Sequence, residues 1–164
     1  NLLLVSGAEL NTIMWGSILV FVAWLVTLQE LSAAESVREP LCISSANARL
    51  HRFAVEVADE PAERRRGLMF RHSLPRKQGM FFVYPVESPV VMWMKNTFIS
   101  LDMLFIHEGR VSSIETGTIP GSESLIRSNG PVRAVLELGG GEARRLGIRL
   151  GDRVLHPLLG ANCP

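Results

Sequence analysis

The spacing of the apolar runs constrains this chain most. Between residues 52 and 156 these runs are short, and each is bounded by Gly, Pro, Asn or Ser. Such runs have strand length and are too short for most helices. "RFAVEVA" at 52–58 alternates, with Phe53, Val55 and Val57 on one face. "GMFFVYP" is a continuous apolar strand, and "VVMWMKN" is read as another. "LDMLFI" and "VSSIETGTI" flank a hairpin turn near Glu108-Gly109. Residues 120–130, "PGSESLIRSNG", read as a loop. "VRAVLEL" and "GDRVLHP" supply the last two strands.

Two short helices fit between the strands. In "DEPAERRRG", Asp59 can cap, Pro61 suits a first turn, and the arginines face the negative helix end before Gly67 stops it. The triple arginine at 64–66 then reads as a solvated helix terminus. "GGGEARRLG" repeats the device, with Glu142 early, Arg144 and Arg145 late, and Gly147 as the stop. About seven short strands without a βαβ rhythm predict a mainly β fold. The expected form is a compact antiparallel β-barrel or jelly-roll-like sandwich with two short edge helices.

Ahead of this domain, no charged side chain occurs between Leu10 and Gln29. That length suits either a bilayer-spanning anchor or the core of an export signal. "LSAAES" offers small residues for cleavage before Glu35. Residues 1–34 are therefore expected to be a signal peptide or an N-terminal anchor, with residues 10–29 the only membrane contact if uncleaved. Residues 35–50 read as a linker or irregular arm, and 51–164 as a single β-domain. Either reading of the first segment puts that domain outside the cytoplasm, periplasmic or secreted. Cys42 and Cys163 are the only cysteines. In an exported chain they are disulfide candidates, with two free thiols as the alternative.

The charge balance excludes one class of partner. The chain has 17 basic and 16 acidic residues; setting aside Glu9 and Glu30 in the first segment leaves 17 against 14, or +3. That is too mild, and too poorly interleaved with aromatics, for nucleic acid.

Taken in order, "RRRGLMFR", "GMFFVY", "WMKNTFISLDMLFI" and "AVLELGGGEARRLGIRLGD" resemble family 192 of the domain-of-unknown-function series, found in bacteria and archaea. The resemblance runs from about Val55 to Val154. It implies a compact jelly-roll-like β-barrel with small helices at its edge. It carries over no catalytic residue, because the family's activity is not established. The chain has Ser100 where the family usually has Pro, and its loop around Ile126 lacks the commoner aromatic.

The residues raise three chemistries. Five methionines between Met69 and Met103 suggest copper(I), which thioethers favour. On a strand, however, Met92 and Met94 share a face and Trp93 takes the other. Core packing is therefore the expected role, with no metal and no cofactor. His51, His72, His107 and His156 lack zinc spacing, and no nucleophile elbow surrounds Ser100, Ser112 or Ser113. The glycine-rich approach to the second helix could hold an anion.

The polar residues set in apolar runs are more telling. Lys95 falls on Trp93's face, Asp102 with Leu104 and Ile106, and Glu137 with Val135. Charges in such places are costly to bury unless paired. Lys95 is expected to meet Asp102 or Glu137, and Asn96 to satisfy backbone in the bend through Thr97. Trp93, Lys95, Asn96, Asp102 and Glu137 thus form the candidate polar cluster. Its first reading is an exported domain that binds a small polar ligand or an envelope component without catalysis. The second is a hydrolase or transferase acting on an envelope glycan or similar polar substrate through Asp102 or Glu137. The third is a purely structural accessory domain.

Overall fold

The structure is a computed structural model that describes residues 37–45 and 48–164. The expected signal or anchor, with its apolar run at 10–29, lies outside the described residues. Among the described residues no helix is long and apolar enough to cross a membrane. In chain order the elements are β1 (Arg38–Ser44), β2 (Leu50–Ala58), α1 (Pro61–Arg66), β3 (Gln78–Met92), β4 (Leu101–His107), β5 (Arg110–Glu115), β6 (Ile126–Gly139), α2 (Glu142–Leu146) and β7 (Arg153–Leu155).

The strands close into a barrel in the order β1-β2-β3-β6-β4-β5-β7, with β7 returning to β1. The barrel alternative is the correct one. All pairings are antiparallel except β2 with β3, whose connection carries α1. A parallel pair needs such a crossover.

Two apolar layers follow from strand alternation. Every strand sends side chains into the barrel, where Leu41, Val55, Phe81, Leu104, Val111, Leu136 and Val154 pack together. The opposite face of β3, β6 and β4 carries Met80, Phe82, Met103, Phe105 and Val135. Leu68, Val90 and Met94 cover that outer layer.

Four expectations need correction. Residues 38–44 are strand β1, not part of an irregular arm; its polar start is exposed and only Leu41, Cys42 and Ile43 are buried. "GMFFVYP" and "VVM" belong to one strand, β3, bent by register shifts between Val83 and Ser88 and between Pro89 and Val91. Such bulges tolerate Pro85 and Pro89, which cannot donate to a regular ladder. Residues 126–130, expected in a loop, begin β6 and pair with the end of β3. The α1 N-cap is Glu60, not Asp59, and the Glu60 N–H donates to the Glu63 carboxylate at 3.2 Å. The hairpin turn does fall at Glu108-Gly109, where both residues have positive φ, as a primed turn requires.

Cys42 and Cys163 form a disulfide, with α-carbons 5.2 Å apart. It ties the C-terminus to the buried centre of β1.

Candidate functional site

A cavity of about 590 Å³ opens over the outer face of β3 and β6. That size is typical of small-molecule sites. Strand parity sends Glu137 into its floor. Met80 on β3 and Met103 on β4 lie opposite Glu137 in register, so the acid is flanked by buried methionines. Glu137 is 4% exposed. Burial pushes its carboxyl up to about 8, and no charge or hydrogen bond of the protein offsets this. The floor is therefore a neutral carboxylic acid at pH 7, able to donate one hydrogen bond and accept others.

The wall is aromatic. Phe82 and Tyr84 alternate outward along β3, and Trp93 follows where the chain leaves the strand. Burial first, and the nearby Glu137 second, raise the Tyr84 phenol to about 12, against the lowering effect of Arg64. Its hydroxyl stays protonated and lies 3.6 Å from the Met92 sulfur. The rim is α1. Arg64 sits over the Tyr84 ring, 5.4 Å from its centre, and donates to the carbonyls of Val83, at 2.9 Å, and Asp59. Arg65 and Arg66 are exposed beside it and line the same opening.

The five residues of the expected cluster do not converge. Trp93 is 46% exposed and lines the cavity with Glu137. Lys95 pairs at 3.5 Å with Glu123 and lies 5.5 Å from the Trp93 ring centre. Its expected partners, Asp102 and Glu137, are not engaged. The reason is local: β3 ends at Met92, so strand parity does not reach Lys95. The Thr97 N–H closes a turn onto the Met94 carbonyl, and Asn96 has φ of 56°. Asn96 is exposed, and its main-chain carbonyl accepts the Phe70 N–H at 2.7 Å.

Asp102 lies elsewhere. On β4 it is opposite Leu138, while its neighbour Met103 is opposite Glu137. The two acids therefore face opposite sides of the sheet. Asp102 is fully buried and accepts backbone N–H bonds from Gly117 at 2.9 Å, Gly141 at 3.0 Å and Ala143 at 2.9 Å. At the glycine-rich approach to α2, the Gly141 and Ala143 N–H groups are taken by the protein's own Asp102 carboxyl rather than offered to a ligand. Glu137 is the one carboxyl lining the cavity. The two carboxylates that glycoside hydrolysis uses across one groove are not assembled there. Among the described residues no cluster of His, Cys, Asp and Glu is placed to hold a metal.

Sequence reasoning missed Arg64 and Tyr84. Tyr84 is the only tyrosine in the chain and closes an apolar run, which is a usable signal. From the sequence Arg64 reads as part of a solvated helix terminus. Nothing local shows that one of three consecutive arginines turns inward.

Comparison with known proteins agrees with this architecture. The chain is similar to a crystal structure from Sinorhizobium meliloti 1021 described as a "putative transcription regulator". The two share 39% identity with a TM-score of 0.74, over 77% of this chain and 99% of the other. A protein of unknown function from Novosphingobium aromaticivorans DSM 12444 is 36% identical with a TM-score of 0.72, over 76% of this chain and 89% of the other. No curated protein matches. The model of the DUF192 family, described as "Uncharacterized ACR", matches residues 42–156. These residues span the barrel from the middle of β1 to just past β7, together with Glu137 and its cavity, and the chain belongs to the DUF192 family.

Proposed function

We propose that this barrel is a binding module that takes a small polar ligand into the cavity above Glu137 and performs no chemistry on it. One observation carries this reading: a buried carboxyl without a protein partner forms the floor of a cavity walled by aromatic rings. Buried polar groups are almost always satisfied, and an orphan that faces a cavity is satisfied by what enters it. A neutral acid recognises hydroxyl, carbonyl or amide groups, and Trp93 offers a flat face for a ring. The absence of a second carboxyl at the cavity weighs against the hydrolase reading. The purely structural reading leaves the empty volume and the orphan acid without a purpose.

The proposed place of work is outside the cytoplasm. The Cys42–Cys163 disulfide supports it, since such bonds persist mainly in oxidising compartments. The apolar run at 10–29 and the small residues before Glu35 are consistent with export.

Native mass spectrometry of the full chain recovered from its own cells tests the binding reading. The expected result is a retained small molecule that Trp93→Ala loses while keeping the fold. Trp93 is half exposed on a turn, so its truncation leaves the core intact. A retained molecule indifferent to Trp93→Ala would place binding elsewhere and overturn the reading.

A further inference from the structure

The charges around the cavity select among ligands. Arg64, Arg65 and Arg66 line it, and Lys95 lies against Trp93 at its edge. Of these cations Lys95 is balanced by Glu123, whereas no ion pair joins the three arginines to an acid among the described residues. Glu63 is turned to the start of α1, where it accepts the Glu60 N–H. Glu137 is the only acid in the lining and is neutral at pH 7. The opening is therefore a positive collar around an uncharged, low-dielectric floor, which focuses the field outward along the mouth.

An aromatic wall beside a buried acid also suggests the opposite, a cationic ligand held by cation–π contact. The protein's own cations argue against it. Arg64 sits over the Tyr84 ring and Lys95 lies by the Trp93 ring, so an incoming ammonium would meet positive charge at both. The guanidinium groups of Arg65 and Arg66 are exposed, with no hydrogen bond or ion pair to another described residue, and remain available to a ligand.

Building on the binding function above, we propose that the ligand is an organic anion: a carboxylate, phosphate or sulfate carried on a flat or apolar body. Arg65 and Arg66 hold the charged end at the mouth. The body lies along Trp93 and Met92, and its inner polar end meets the Glu137 carboxyl. Guanidinium groups suit such anions because their donors match two oxygens at once.

Two fluorescent probes that share an aromatic body test this on the full chain. Anilinonaphthalene sulfonate carries the anion, and N-phenylnaphthylamine lacks it. The sulfonate is expected to bind several-fold more tightly. The double variant Arg65→Ala, Arg66→Ala should weaken the sulfonate about tenfold, the sum of two exposed ion pairs, and leave the neutral probe unchanged. Trp93→Ala should weaken both. All three residues are exposed, and circular dichroism of each variant verifies that the barrel persists. If both probes bind equally and the arginine variant alters neither, the anion inference falls while the cavity remains a binding site. If Trp93→Ala alters neither probe, the probes do not enter the cavity, and both readings fall.

Discussion

An acid taken out of water needs partners, and two of the buried acids of this sheet, Asp102 and Glu137, differ in what they find. Asp102 remains surrounded by donors, three backbone N–H groups from Gly117, Gly141 and Ala143. Those bonds fasten the turn after β5 and the start of α2 to β4. Glu137 has no donor and keeps its proton. Asp102→Asn should therefore be costly. The amide retains one acceptor oxygen and sets its own NH2 against backbone N–H groups. A loss of about 3 kcal/mol is expected by chemical denaturation, the scale for leaving buried backbone donors without an acceptor. A loss below about 1 kcal/mol would show that these bonds do not hold the turns. Alternation alone made the facing of both acids legible: Asp102 with Leu104 and Ile106, Glu137 with Val135. Their partners were not legible, because the donors to Asp102 come from backbone 15 to 41 residues away.

Among the elements, β3 decides where the site lies. Its first half pairs with both β2 and β6 and presents Phe82 and Tyr84 outward. Its bulges then redirect the chain so that Met92 and Trp93 return over the same face. Gly79, near the start of β3, marks a close approach to β6. A Cβ there would lie 2.5 Å from the main-chain oxygen of Glu137. Backbone cannot yield as a side-chain tip does, so Gly79→Ala should push the two strands apart. The expected cost is about 1–3 kcal/mol in equilibrium unfolding, as for other overpacked positions. An unchanged midpoint would mean that the strands have room to spare. Local signals worked for elements with local causes. The turn at Glu108-Gly109, the glycine stops of α1 and α2, and the alternation in β2 and β4 all followed from neighbouring residues. Strand β1 is not legible locally because its first three residues, Arg38, Glu39 and Pro40, are exposed and carry no strand pattern. What makes it a strand is pairing with β2 on one side and β7 on the other, and such long-range pairing leaves no local pattern.

For the whole molecule, closure depends on a weak seam. Strand β7 has only three residues, and it joins β1 to β5 through few pairs. The disulfide lies beside this seam, since Cys42 itself pairs with Leu155. It closes a loop spanning 121 positions, for which chain entropy predicts about 4–5 kcal/mol. Reduction, or Cys42→Ser with Cys163→Ser, should lower the thermal midpoint and free the C-terminal segment first. Hydrogen exchange would show this as early loss of protection in β7, and a uniform loss across all strands would contradict it.

The account rests on a neutral, unpartnered Glu137, and that state has a global signature. A carboxyl raised to about 8 in the fold from 4.5 in the open chain binds its proton more tightly when folded. Its contribution is therefore full below about pH 4.5 and lost as pH rises through 8. The most direct measurement is unfolding free energy from pH 4.5 to 9 for the wild type and Glu137→Gln, since glutamine cannot ionise. The two should run close together at the acid end. The wild type should then fall behind across the window, by an amount on the order of 5 kcal/mol at the alkaline end. Parallel curves over the whole range would mean that Glu137 is solvated or paired, and the cavity would lose the floor on which its proposed function stands.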